Sequence, residues 1–181
     1  MLEIRLHGRG GQGAVTSVEM LALAAINEGK YALAFPSFGP ERRGAPILAF
    51  VRTDNVPVKI RAEINEPDVI VVFDPRLIDI VNVTAGLKDD GLAIVNSRKT
   101  PQEIQAKLGG KWKVATVDAT KIARSVIGVP IVNTTMLGAI VKMTNLCDLD
   151  SLQEPLQHRF GGKGSQNFDA CKQAYDQIVS T

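Results

Sequence analysis

Four glycines fall within six positions (Gly8, Gly10, Gly11, Gly13), and Arg9 and Gln12 are interleaved with them. Glycine admits positive φ and leaves the main chain bare, so such a run brings backbone close to a ligand or another chain. An apolar alternation of Leu2, Ile4 and Leu6 leads in, and a stretch without Pro or Gly runs from Ala14 to Gly29. Strand, glycine turn and helix is the order this spacing predicts. A helix start offers free N–H groups and the positive end of the macrodipole, which favour an anion. Arg9, Gly10, Gly11, Gln12 and Gly13 are therefore the first candidate site, an anion-binding or interface turn.

The spacing Gly8-x-Gly10-x-x-Gly13 also satisfies the dinucleotide fingerprint. That fingerprint needs an acid about 20 residues on, at the end of the second strand, to hold the ribose hydroxyls. The candidate second strand, residues 31–35, runs into Pro36-Ser37-Phe38-Gly39 with no carboxylate, and Glu28 lies at its wrong end. No Lys-Ser/Thr follows the glycines, so the chain has no P-loop. A stand-alone NAD- or FAD-binding oxidoreductase remains an alternative, resting on an incomplete motif.

The second group of chemical interest is Glu41, Arg42 and Arg43, at the tip of a loop bounded by Pro36 and Pro46. Two readings stand there: a solvated charged turn, or a docking loop whose arginines make bidentate bonds to carboxylate or phosphate. Asp74, Asn96-Ser97 and Asp118 each follow an apolar run. They read as helix caps at the carboxyl edge of a sheet, and Asp74 and Asp118 could couple only if their strands are neighbours. His7 is expected to make a structural hydrogen bond, with His158 far away in sequence. Cys147 and Cys171 lack any CxxC, which leaves no local iron–sulfur or zinc site and suits a reducing cytoplasm. There is no GxSxG and no HExxH. An apparent ligand-binding fold without a catalytic set suggests a subunit that completes another chain's active site.

The elements that must position these residues follow from the apolar pattern. With 181 residues, 45% hydrophobic and 22% charged, the chain suits one ordinary globular domain. A net charge of +2 without basic runs argues against nucleic acid, and no apolar segment is long enough for a membrane span. The helix from Ala14 is apolar nearly all round, so it should be covered on more than one side, by the sheet and by a further element or partner. A strand is expected from Ile47 to Val51 and another through Val58 and Ile60. The VIVVF run at 69–73 reads as a central parallel strand, followed by a helix at 76–83. Strands at 92–95 and 114–117 alternate with helices at 101–108 and 119–127. Asn133 is expected to cap a helix in which Gly138 marks close packing. Helices at 149–158 and about 167–179 close the chain. The fold class expected is α/β, Rossmann-like, with a mostly parallel sheet flanked by helices in a single domain spanning 1–181.

The stretch HGRGGQGAVTSVEMLA (7–22), followed by FPSFGPERRGAP (35–46), resembles the gamma subunit of 2-oxoacid:ferredoxin oxidoreductases. PIVNTTMLGA (130–139), Asn167-Phe168 and Ala174-Tyr175 extend the resemblance over essentially the whole chain. It implies a Rossmann-like domain in a cytoplasmic complex that oxidatively decarboxylates a 2-oxoacid with coenzyme A. The products are acyl-CoA, carbon dioxide and reduced ferredoxin. It also implies that alpha and beta subunits hold thiamine diphosphate and Mg, that cysteine-rich, ferredoxin-like parts hold iron–sulfur clusters, and that this chain alone binds no cofactor. The ERRGAP wording is closer to the pyruvate or branched-chain type than to the 2-oxoglutarate type. On this reading the turn 8–13 and the loop 41–44 face the catalytic subunits, and Arg9, Arg42 or Arg43 with the helix N-terminus help admit coenzyme A, with no catalytic residue in this chain. A purely structural scaffold subunit is the remaining alternative.

Overall fold

The computed structural model describes residues 1–37 and 43–181; Glu41 and Arg42 lie outside the described residues. Its seven-stranded sheet has the order β2-β3-β1-β4-β5-β6-β7. The strands are β1 (Leu2–Arg9), β2 (Tyr31–Pro36), β3 (Pro46–Asp54), β4 (Val69–Val72), β5 (Leu92–Asn96), β6 (Lys113–Val117) and β7 (Val179–Ser180). Strands β1, β4, β5 and β6 form a parallel centre. Antiparallel β3 and β2 continue it on one side, and antiparallel β7 closes the other. Every residue of β4 is buried, as an apolar run covered on both faces requires.

The two faces are covered unequally. Ile4, Leu6, Val51, Val71 and Ile94 point into one core with α1 (Ala14–Asn27), α3 (Ala119–Val126), α4 (Asn133–Thr144), α5 (Gln153–Phe160) and α6 (Gly164–Gln177). Gly138 does what its position suggested: a Cβ there would run into the Cys171 carbonyl, so α4 and α6 meet backbone to backbone. The opposite core, built on Ile70, Val72, Ala93 and Val95, receives α2 (Pro101–Lys107) through Ile104. Helix α2 carries a full capping box, with Thr100 and Glu103 exchanging bonds.

Beside β1 and β3 that second face has no α-helix among the described residues, only a 3-10 turn and irregular chain. No strand forms through Val58 and Ile60. Arg52 instead donates from Nη1 to the carbonyls of Ile60 (3.0 Å) and Ala62 (2.6 Å), while its Nε pairs with Glu3 at 2.7 Å. A guanidinium thus satisfies backbone that a sheet neighbour would otherwise hold. The helix expected at 76–83 shrinks to a 3-10 turn, Pro75–Asp79, in the connection from β4 to its neighbour β5. The helix expected at 149–158 divides into a 3-10 turn, Leu149–Leu152, and α5. The last helix begins and ends earlier than its apolar pattern indicated, which frees β7 to pair with β6. Helix α1 is covered on most sides, yet Leu23 and Ile26 are 44% and 47% exposed.

Candidate functional site

The carboxyl end of β1 and the start of β3 lie side by side, with Arg9 paired to Pro46. The glycine turn therefore grows out of the sheet directly against the returning Arg43–Pro46 segment. The two are joined: Gly10 N–H donates to the Ala45 carbonyl at 2.9 Å, and Gly44 N–H donates to the Gly10 carbonyl at 3.0 Å. Arg43 forms an isolated parallel bridge with Gly10 and is exposed. The structure thus brings together Arg9, Gly10, Gly11 and Arg43, separated by more than thirty residues in sequence.

Within the turn, Gln12 closes a small ring. Its N–H donates to the Arg9 carbonyl at 2.9 Å and its Oε1 accepts from the Arg9 N–H at 2.7 Å. Gly11 and Gly13 have φ of 87° and 78°, values that favour glycine. Gly13 is the N-cap of α1, and no side chain caps that helix start, which leaves its first N–H groups available. A Cβ at Gly13 would strike the side chain of Asn133, so the beginnings of α1 and α4 meet here. Asn133 is not the cap its sequence position suggested. Val132 holds that place without a side-chain bond, and Asn133 lies in the first turn, where its Oδ1 is buried without a hydrogen-bond partner. Ser17 Oγ bridges both helix starts through the carbonyls of Gly13 (3.1 Å) and Asn133 (3.2 Å).

Charge at the site is shared unevenly. Arg9 Nε pairs with Asp74 Oδ2 at 2.6 Å, and Arg9 Nη1 donates to the Gly44 carbonyl at 3.1 Å. Asp74 also accepts from the Arg76 backbone N–H (3.0 Å) and guanidinium (2.8 Å). Burial would raise the Asp74 carboxyl, but bonds from Arg76 and Arg9 outweigh it and hold the group at about 2. Arg9 is thus a strut of the turn, with its charge already matched, while Arg43 is exposed at the rim. Asp74 and Asp118 do not couple, because β5 separates their strands. Asp118 caps α3 through the Lys121 N–H.

His7 makes the structural hydrogen bond expected of it: its Nε2 accepts from Arg5 Nε at 3.1 Å. Burial, reinforced by the Arg5 charge, holds the imidazole down at about 3, so it is neutral near pH 7. Burial pushes both thiols up to about 12. Cys147 lies buried in the loop after α4 and Cys171 within α6, a poor donor set for a metal, and no group of three His, Cys, Asp or Glu that could hold one gathers among the described residues. No helix among the described residues is long and apolar enough to cross a membrane. Sequence reading missed Asp74, Ser17 and Asn133 as parts of the turn. Only Asp74, at a strand end, carried any signal.

A model of the pyruvate ferredoxin/flavodoxin oxidoreductase family matches residues 3–177. The chain is 53% identical over 179 residues to the common gamma subunit of the pyruvate/ketoisovalerate oxidoreductases of Pyrococcus furiosus, covering 98% of this chain and 97% of that one. It is 51% identical to pyruvate synthase subunit PorC of Methanothermobacter thermautotrophicus, covering 98% and 96%. The crystal structure of pyruvate oxidoreductase subunit PORC from Thermotoga maritima superposes with a TM-score of 0.88 at 37% identity, covering 99% of this chain and 98% of that one.

Proposed function

Since the chain belongs to the pyruvate ferredoxin/flavodoxin oxidoreductase family, as the gamma subunit of a pyruvate or 2-oxoacid:ferredoxin oxidoreductase complex, we propose that it completes that complex's active site and performs no reaction unaided. The reaction is decarboxylation of a 2-oxoacid with coenzyme A and oxidised ferredoxin to acyl-CoA, carbon dioxide and reduced ferredoxin. Thiamine diphosphate with Mg, and the iron–sulfur clusters, belong to the alpha, beta and ferredoxin-like subunits. Buried thiols and the absence of a disulfide among the described residues fit a reducing cytoplasm.

In this reading the glycine turn and the adjoining Arg43, with Arg42 next to it in sequence, receive the anionic end of coenzyme A. The observation that carries it is the uncapped start of α1, set at the carboxyl edge of the sheet with exposed Arg43 zipped beside it. A nucleotide enzyme would place a parallel second strand and its ribose acid next to β1. Antiparallel β3 occupies that place, which speaks against a dinucleotide and supports a simple anion at the turn.

The test is steady-state kinetics of the assembled complex carrying Arg42→Ala and Arg43→Ala. Losing two charge-assisted bonds should raise KM for coenzyme A about tenfold or more, with KM for the 2-oxoacid unchanged. An intact complex with an unchanged coenzyme A KM would exclude the reading.

A further inference from the structure

The flank of β1 and β3 that lacks an α-helix holds a cavity of about 310 Å³, at the small end of the range for ligand pockets. Ile47, Leu48, Leu77 and Val81 give it an aliphatic wall, and its polar lining is Arg5, His7 and Asn82. Asn82 Oδ1 is held by Thr84. Arg5 and His7 are 6% and 4% exposed.

Arg5 is a buried cation whose described partners are all neutral. Its Nε donates to His7, Nη1 to the Ile64 carbonyl at 3.3 Å, and Nη2 to the carbonyls of Val83 and Ala85. No carboxylate among the described residues pairs with it. A guanidinium has five N–H groups, so one on Nη1 is left over. His7 Nε2 can only accept from an arginine, which fixes the proton of the neutral ring on Nδ1, and that N–H has no acceptor among the described residues. A spare donor and an unbalanced positive charge therefore line an apolar cavity. Burying a charge without a counter-ion is costly, and a bound anion would balance it.

We propose that this cavity binds a short-chain monocarboxylate, its carboxylate received by the spare Nη1 N–H of Arg5 and its hydrocarbon body by Ile47, Leu48, Leu77 and Val81. A phosphate fits poorly, because it brings more acceptors than one donor satisfies and nothing to set against four aliphatic side chains. The cavity adjoins the proposed coenzyme A site through Gly8 and Pro46, but neither Arg43 nor the start of α1 lines it.

The experiment is saturation-transfer NMR on the full chain near neutral pH with isovalerate and its uncharged counterpart, isovaleramide. Isovalerate should bind at least about tenfold more tightly than the amide, the difference a charge-assisted pair supplies. Leu48→Trp should fill the cavity and abolish the signal with the circular dichroism and melting temperature retained. Arg5→Met should abolish it too, but that variant also loses the carbonyl bonds holding the cover, so the amide and Leu48→Trp carry the test. Absence of isovalerate binding, or equal binding of acid and amide, overturns the proposal. So does binding that disappears in the purified complex, which would assign the cavity to a side chain of a neighbouring subunit.

Discussion

Asp74 sets what the arginines beside the glycine turn are free to do. Its carboxylate draws in Arg9 and Arg76, so the positive end of Arg9 braces the turn and Arg43 is exposed at the rim. The pH dependence follows from the folded value of about 2 against an ordinary 3.8. A depressed carboxyl stabilises the fold above pH 3.8, and this contribution, about 2 kcal/mol, is lost as pH falls through about 2. Asp74→Asn should lower stability near pH 7 by about that amount and flatten the urea midpoint below pH 4. His7 acts through the unfolded state in the same window of sign. Because it is held neutral down to about 3 against an ordinary 6.5, stability is full above 6.5 and falls by up to about 1.4 kcal/mol per pH unit below it. His7→Gln keeps an acceptor for Arg5 and removes the titration, so its denaturation midpoint should vary less between pH 6.5 and 4. At this scale the sequence displayed the glycines and the arginines but not their settlement. That Asp74 takes Arg9 is a tertiary fact, set across a sequence separation of 65.

At the scale of elements, the close approach of α4 and α6 offers a test with opposite signs. Alanine is the better helix former, and propensity alone would make Gly138→Ala stabilising by up to about 1 kcal/mol. The Cys171 carbonyl beside Gly138 predicts the reverse, a loss of about 1–3 kcal/mol from overpacking, measurable by thermal or urea denaturation. Elements with strong local signals were legible: the alternation of β1, the apolar run of β4, the helix after Pro101 and the close packing at Gly138. Those that depend on distant partners were not. Val58 and Ile60 have strand-forming side chains, yet their segment is held by Arg52 from another strand. Two-residue β7 exists only because β6 offers it an edge. Asn133 looks like a cap in sequence because nothing local reveals that Gly13 of another helix faces it.

For the whole molecule, the sheet order explains why one turn gathers so much. Strands leave β1 in both directions, toward β3 and β2 on one side and β4 to β7 on the other, and open α/β sheets bind ligands at such a reversal. The parallel centre was readable from the succession of apolar runs. The antiparallel placing of β3, which brings Arg43–Pro46 back to the glycines, was not, since pairing direction is not a local property. Both thiols are buried, and burial suppresses the reactive thiolate. Neither Cys147 nor Cys171 should take up iodoacetamide in the native chain over the time that unfolded chain is fully labelled, and alkylation in rising urea should follow global unfolding. Rapid native labelling of either would contradict the packing described.

Arg5 and Arg52 fasten the side of β1 and β3 that lacks an α-helix by gripping main-chain oxygens at Ile60, Ala62, Ile64, Val83 and Ala85. A carbonyl belongs to every amino acid alike. The anchorage therefore constrains the paths of these two segments and, outside buried Ile64 and Val83, leaves their lettering open to drift provided both arginines are kept.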